Sequence, residues 1–503
     1  MNYKAIRDLF VHTWKIAQEE QMSRWISNAI LGITLAACIL LPALSAAGDI
    51  AVNTSANAGD WGKFDVGSGV IHIELIGAAG ERRPMDVLLF YPADKQAYRK
   101  APPAYYSSRL FGVQLDPTQW DPMSWTVQAE RAHEGVAIDN GGPSFPLIVV
   151  SHGNGGTPEK YAPILERLAS HGYVIAAPWH EGNNHDDVLI DRFNTLAGKK
   201  ILPCLDGLPS PCSDGLNKTL QNRALDITAT INTMSSLFGD RVDISRVGFL
   251  GHSRGSWTGL AAAGGSTVLN IAPDPRVVAV LALEIATRPI TSLLSLQNVT
   301  VPTLLVNSRL DNITPMDVSI DAYNTIPSDQ KALVILERAV HRIYGSGFCQ
   351  QMQVLGGVYQ SNPSALGEFL ILQDMILSTN GTPMDFCFYD SFVNPVDIRP
   401  TVETMLGCPS SPGCIEIAPD SVPRSLDAES GMRLALELAN VFFDAVLVNR
   451  AQPGVHFKQY LSPKFMLYKE GEVVSYQRTE SFQGSAVACD DPELAFVDVA
   501  CGE

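Results

Sequence analysis

The chain has 503 residues, 46% of them hydrophobic and 18% charged, an ordinary globular composition with apolar material for a sizeable core. Its formal charge of -17 argues against a nucleic-acid partner, because phosphate binding needs a basic face and none is legible here. Without tandem repeats or a long low-complexity tract, the length suits one large α/β unit with additions, or two or three average domains.

From Ile26 to Leu44 the residues are mostly apolar, preceded by Arg24 and followed by Ser45-Ala46-Ala47-Gly48, small residues of the kind found at signal-peptidase sites. The expectation is a secretory signal over 1–47, a secreted or periplasmic destination, and no stable membrane span in the mature chain. The mixed-charge lead from Met1 to Gln21 is atypical, and translation from Met22 gives a signal of ordinary length. Leu35-Ala36-Ala37-Cys38 resembles a lipoprotein-processing box, but the apolar run continues beyond Cys38. Cys204, Cys212, Cys349, Cys387, Cys408, Cys414, Cys489 and Cys501 remain, an even set that reads as disulfides. Sequential pairing closes only local loops, although spacing does not fix connectivity. No C-x-x-C pair with matching histidines supports zinc.

Val70–Ile76 and Met85–Tyr91 read as strands joined by a turn at Gly80. The stretch from Pro92 to Pro143 reads as an irregular surface excursion whose aromatic residues either shape a pocket or pack on the body of the domain. Phe145–Ser151 is a continuous apolar run, as expected of a parallel strand covered on both faces. It leads into His152-Gly153-Asn154-Gly155-Gly156. Thr157 and Pro158 then read as an N-cap and first-turn pair, and Tyr161, Ile164, Leu165 and Leu168 share one helical face before a stop at Gly172. Tyr173–Ala177 is the next buried strand, which makes a βαβ unit of right-handed connection.

His180, Glu181, His185, Asp186 and Asp187 are spaced either to hold a divalent ion or to rim a polar pocket; nothing fixes a metal geometry, and no metal or other cofactor is expected. Leu220, Ala224, Ile227, Ile231 and Met234 mark a long amphipathic helix ending near Gly239. The strand Arg246–Leu250 follows, then Gly251-His252-Ser253-Arg254-Gly255. This is G-x-S-x-G after a strand and before a helix: a serine raised on a tight turn, with small residues two positions away on either side. A helix is expected over Ser256–Ala263, and further strands over Val277–Leu283, Thr303–Asn307 and Ala332–Leu336. Together these make eight strands, the number of a doubly wound α/β-hydrolase sheet.

A serine hydroxyl attacks a carbonyl only when a base takes its proton, and histidine has the fitting pKa. In this architecture the acid follows a late strand and the histidine the last. Asp311 follows Thr303–Asn307, and His341 follows Ala332–Leu336, so both belong on the edge that carries Ser253. Glu284, after the preceding strand, is the alternative acid; Asp317 lies beyond Pro315 and falls within a helix; His252 reads as a packing residue. Backbone N–H groups of Asn154 and Arg254 are placed to stabilise an oxyanion, one from the Gly-rich loop and one at a helix N-terminus.

FPLIVVSHGNGGTPEKYAPILERLASHGYVIAAPWH, with GHSRG, SRLDNITP and AVHRIYG, resembles the platelet-activating-factor acetylhydrolase and predicted dienelactone hydrolase group of α/β-hydrolases, roughly over 70–344. GHSRG and LASHGYVIAAP are also similar to plant chlorophyllases. The resemblance implies a secreted, metal-independent serine esterase of short or medium acyl esters, with a small-molecule or lipid ester as substrate. It implies Ser253 as nucleophile, Asp311 as acid, His341 as base, and Asn154 with Arg254 as oxyanion donors. Arg254 and Ser256 depart from the aromatic residue and glycine common in the acetylhydrolases, and dienelactone hydrolases use a cysteine nucleophile. A carbon–carbon bond hydrolase with the same triad and a binding protein on a hydrolase scaffold are the competing readings.

The domain plan is therefore a catalytic core over 48–345 and a cysteine-containing insertion over 346–425, read as a cap or a stabilising subdomain. A terminal core helix over 426–450, marked by Leu434, Leu438, Val441, Ala445 and Val448, and an extension over 451–503 complete it. In that extension Phe465–Tyr468 and Val473–Tyr476 read as a hairpin about Gly471.

Overall fold

The computed structural model describes residues 59–107, 126–184, 212–309, 311, 313–336, 339–341, 428–448 and 473–478. The signal, Cys38, the disulfide pairings, residues 185–187 and the insertion over 346–425 lie outside the described residues.

The strands are β1 (Val66–Ile76), β2 (Arg82–Pro92), β3 (Pro103–Ser107), β4 (Thr126–Glu134) and β5 (Phe145–Ser151). Helix α1 (Ala162–Ser170), β6 (Val174–Pro178), helix α2 (Cys212–Phe238), β7 (Val242–His252), helix α3 (Arg254–Gly264) and β8 (Val277–Leu283) follow. Next come β9 (Thr303–Ser308), helix α4 (Met316–Thr325), β10 (Lys331–Leu336), helix α5 (Ala428–Phe443) and β11 (Val473–Arg478).

Among the described residues these strands form one 11-stranded sheet in the order β11-β10-β9-β8-β7-β5-β6-β2-β1-β4-β3. From β10 to β6 every neighbouring pair is parallel. β6 with β2, β2 with β1, β10 with β11 and β3 with β4 are antiparallel. The expectation of eight strands is therefore corrected to eleven. All eight anticipated strands are present, and the additional β3, β4 and β11 lie at the two ends of the sheet. Two of them fall in the Pro92–Pro143 stretch: β3 opens on Pro103 at the sheet edge, where a missing ladder N–H is tolerated, and β4, TVQAERAHE, has no apolar run to mark it. The third, Val473–Arg478, pairs with β10, while Phe465–Tyr468 lies outside the described residues.

The apolar runs of the parallel strands are explained by burial on both faces, because alternate side chains enter opposite cores. Ile148 and Val150 of β5 join one core, with Leu165 and Leu168 of α1 and Leu438 and Phe442 of α5. Leu147 and Val149 join the other, with Ile227, Ile231 and Met234 of α2, Leu260 of α3 and Val318 of α4. Thr157 makes no capping bond to α1; the chain first forms a short 3-10 turn over Pro158–Tyr161 and then enters the helix, which stops where Gly172 adopts a φ of +108°. The strand order reverses between β5 and β7. Loops leaving their C-terminal ends diverge there, which is where open α/β sheets form their binding crevices.

Candidate active site

Ser253 is the N-cap residue between β7 and α3, with φ 56° and ψ -119°, backbone angles that L-residues rarely adopt and that cost on the order of 1–3 kcal/mol. Its N–H donates to the Leu283 carbonyl at 2.8 Å. The Ser256 hydroxyl bonds the carbonyls of Gly251 at 2.8 Å and Leu283 at 2.6 Å, so the residue that departs from the acetylhydrolase pattern ties the elbow to β8. A Cβ on Gly251 would stand 2.3 Å from the Gly255 oxygen, and one on Gly255 1.8 Å from the Ser151 oxygen. The elbow thus closes only with glycine at both positions. Positive φ recurs at His180 (46°) after β6 and at Glu284 (50°) after β8, so strain gathers on the strand ends that surround Ser253.

His341 Nδ1 lies 2.6 Å from Asp311 Oδ2. A carboxylate accepts, so Nδ1 carries the proton and Nε2 of the neutral ring is left as the acceptor. Asp311 Oδ1 accepts from the N–H groups of Ile313 (2.7 Å) and Thr314 (2.9 Å), and Oδ2 also accepts from the Thr314 hydroxyl. Burial works to raise the Asp311 pKa, but attraction to the His341 ring when it is protonated, the hydrogen bond from that ring and these donors outweigh it and hold the carboxyl well below the usual range. A carboxyl whose folded pKa lies below its ordinary value of about 4 stabilises the fold as the ionised form. That contribution is complete above pH ~4 and falls away as the pH drops toward the folded value. The gap in Tm between the wild type and Asp311→Asn is accordingly expected to narrow below pH ~4 in thermal melts, and a constant gap would contradict the assignment.

Glu284, the alternative acid, is fully buried. Its Oε2 accepts from Ser308 N–H at 2.9 Å and Asn307 Nδ2 at 2.8 Å, and Oε1 bonds the Ser308 hydroxyl. Burial, then the charge of Asp311, pushes its pKa well above the usual range. Asp311 and His341 are thus brought together, while Glu284 is bound to β9. Asp317 is within α4, where its exposed carboxylate pairs with Arg288 at 2.5 Å.

His252 does more than pack. Its Nε2 donates to the His341 carbonyl at 2.7 Å, which leaves Nδ1 to accept from the Tyr161 hydroxyl at 2.7 Å. Through this ring the residue beside Ser253 grips the backbone of His341. No sequence signal pointed to this, because a histidine within an elbow is as readily a packing residue.

The loop after β5 runs against the elbow: a Cβ on Gly153 would stand 3.1 Å from the Ser253 Cβ. Asn154 is exposed on that loop, with its side-chain oxygen accepting from Asn183 Nδ2 and from Arg254 Nη1, each at 2.7 Å. Arg254 is the first residue of α3, in the turn whose N–H groups have no acceptor within the helix.

Beneath this loop lies a second serine–histidine–aspartate chain. Ser151 Oγ is 2.9 Å from His180 Nε2, and His180 Nδ1 is 2.8 Å from Asp226 Oδ2, which shares its carboxylate with Arg83 at 2.7 Å. Burial, then the charges of Arg223 and Arg83, keeps the His180 pKa far below normal. Burial likewise pushes Asp226 up to about 6, against the pull of Arg83. Ser151 is 1% exposed, so no substrate reaches it and the chain is a buried scaffold. His180, weighed as a metal ligand from its spacing, is committed here; no group of three metal-binding side chains occurs among the described residues.

A mostly parallel sheet with helices on both faces, and a strand–turn–helix serine at its switch point, is the α/β-hydrolase architecture. Residues 61–186 match the family model of platelet-activating factor acetylhydrolase, isoform II, and residues 208–354 that of PET hydrolase-like proteins. The chain is 29% identical over 200 residues to Cutinase 1 of Thermobifida cellulosilytica, covering 39% of this chain and 61% of that protein. Over 228 residues it is 30% identical to Cutinase 2 of the same organism, covering 43% of this chain and 71% of that one. A ferulic acid esterase from Streptomyces cinnamoneus aligns with 77% of this chain and 92% of its own, at 18% identity and a TM-score of 0.45. The chain belongs to the α/β-hydrolase esterase group that contains these cutinases. It spans 61% of Cutinase 1 and 53% of a cutinase from Thermobifida fusca (strain YX).

Proposed function

We propose that the protein hydrolyses carboxylic esters of short or medium acyl chain through an acyl-enzyme on Ser253. His341 Nε2 takes the Ser253 proton as the oxygen attacks the ester carbonyl, and Asp311 holds the ring tautomer and stabilises the imidazolium. The Asn154 and Arg254 N–H groups receive the oxyanion. Collapse expels the alcohol, which leaves with the proton from His341. Water, deprotonated in turn by His341, then releases the carboxylic acid and restores the serine. The observation that carries this reading is the 2.6 Å bond from His341 to Asp311 beside a strained serine whose neighbour, His252, grips the His341 carbonyl. Export belongs to the same reading and rests on the apolar run Ile26–Leu44 and the eight cysteines that follow it.

A fluorophosphonate probe is expected to label the wild type and not Ser253→Ala, and p-nitrophenyl esters of increasing chain length, with a polyester film and a β-diketone alongside, define the substrate. Absence of labelling in folded wild type, or cleavage of the diketone alone, overturns the proposal. The two carboxyls are separated by isosteres. Asp311→Asn is expected to lower kcat by about 10⁴, because the wrong histidine tautomer results. Glu284→Gln keeps the shape of the side chain and an oxygen that accepts from β9, and is expected to stay within about tenfold. The reverse ranking makes Glu284 the acid.

A further inference from the structure

Arg223 projects from α2 into the sheet and is 1% exposed, although the helix was legible only as an amphipathic one. Its guanidinium makes four hydrogen bonds. Nε donates to Thr258 Oγ1 at 2.9 Å, Nη1 to Asn183 Oδ1 at 2.6 Å, and Nη2 to Ser151 Oγ at 2.9 Å and to the His152 carbonyl. Three of these bonds lead to the rim of the crevice, and the fourth to the buried Ser151 beneath it. His152 is two residues before Asn154. Asn183 holds the Asn154 side chain at 2.7 Å, and its carbonyl accepts from Gly155 N–H at 3.2 Å. The Thr258 hydroxyl donates to the Arg254 carbonyl at 3.0 Å.

We infer that Arg223 is a positioning residue for the oxyanion site, one rigid cation that sets the Asn154 loop and the first turn of α3 in register with each other. The inference rests on the acyl-transfer reading above. Its physical basis is that the two donors come from separate elements, the end of β5 and the start of α3, and that neither alone fixes the distance between them. A planar fork with five N–H donors spans both walls at fixed angles, whereas an ammonium on a flexible stem does not. Donors aimed at a developing oxyanion contribute in proportion to their preorganisation, so their loosening falls on the transition state and spares substrate binding.

The experiment compares Asn183→Ala, Arg223→Lys and Arg223→Met in the full chain. It measures kcat and KM for p-nitrophenyl butyrate, inhibition by an alkyl trifluoromethyl ketone whose hemiketal places an oxyanion in the site, and Tm. Asn183→Ala leaves Arg223 and its bonds to Thr258, Ser151 and His152 in place but removes both the acceptor of Arg223 Nη1 and the side-chain donor to Asn154, which is the whole side-chain path between them. It is expected to lower kcat about tenfold with KM within about twofold, and to weaken the ketone by the same factor. Arg223→Lys, which keeps the charge, is expected to lose about 10²-fold in kcat and not to restore the wild-type ketone affinity. If the Arg223 variants do not fold, Asn183→Ala alone decides. A folded Asn183→Ala with wild-type kcat and ketone affinity overturns the inference, as does a fall in activity that follows only the loss of Tm. A wild type that no fluorophosphonate labels overturns the parent reading instead, so the two failures are distinguishable.

Discussion

Ser253→Ala is expected to lower kcat for p-nitrophenyl esters by about 10⁴–10⁶, with KM little changed, and His341→Ala to do nearly the same. The double variant is expected to be no slower than either single one. The reason lies in how the parts are coupled. Without the serine oxygen the imidazole has nothing to deprotonate, and without the imidazole the hydroxyl remains a neutral, weak nucleophile. Residual turnover then comes from the oxyanion donors and from binding, which neither change touches. Steady-state kinetics on the three variants, each verified as folded by its melting transition, check the point. Losses that multiply in the double variant would mean that the two residues act in separate steps, and the triad assignment would fail.

Gly255→Ala is expected to damage the fold itself, beyond the about 1–3 kcal/mol usual for overpacking. The added Cβ would stand 1.8 Å from the Ser151 oxygen and 2.6 Å from its carbonyl carbon, backbone atoms of β5 that no rotamer change can clear. Relief requires α3 to move off β5. That separates the Asn154 loop from Ser253, so activity and stability fall together. Gly69→Ala is the control, since a Cβ there meets nothing within 4 Å. Its stability is expected within about 0.5 kcal/mol of wild type by chemical denaturation. If Gly255→Ala melts like Gly69→Ala, the close approach of elbow and strand is not required.

Much of the core was legible because its signals are local. The runs Phe145–Ser151 and Val277–Leu283 read as strands buried on both faces, and both are. The elbow was legible because a serine at positive φ between close-packed strand and helix demands glycines at fixed offsets. Polar side chains were the difficulty. In α2 the apolar positions Ile227, Ile231 and Met234 implied a helix with a solvated opposite side, yet Arg223, Asp226 and Thr230 are as buried as they are. Sequence does not distinguish a charge facing water from one facing a buried partner that is distant along the chain. Asp226 meets Arg83 and His180, separated from it by 143 and 46 residues. His252 was read as packing for the same reason.

By itself, then, the chain determined the eight inner strands, the parallel character of the six from β5 to β10, and the candidacies of Ser253, Asp311 and His341, all written in short-range periodicity and in the turn chemistry after each strand. Tertiary structure alone decided the rest. It chose Asp311 rather than Glu284 to bond His341, added β3, β4 and β11 to the ends of the sheet, and tied His252 to the His341 carbonyl and Arg223 to the His152 carbonyl. Those outcomes depend on distances between segments far apart in the chain, which exist only once the sheet has aligned its strand ends and burial has required each polar group to find a partner.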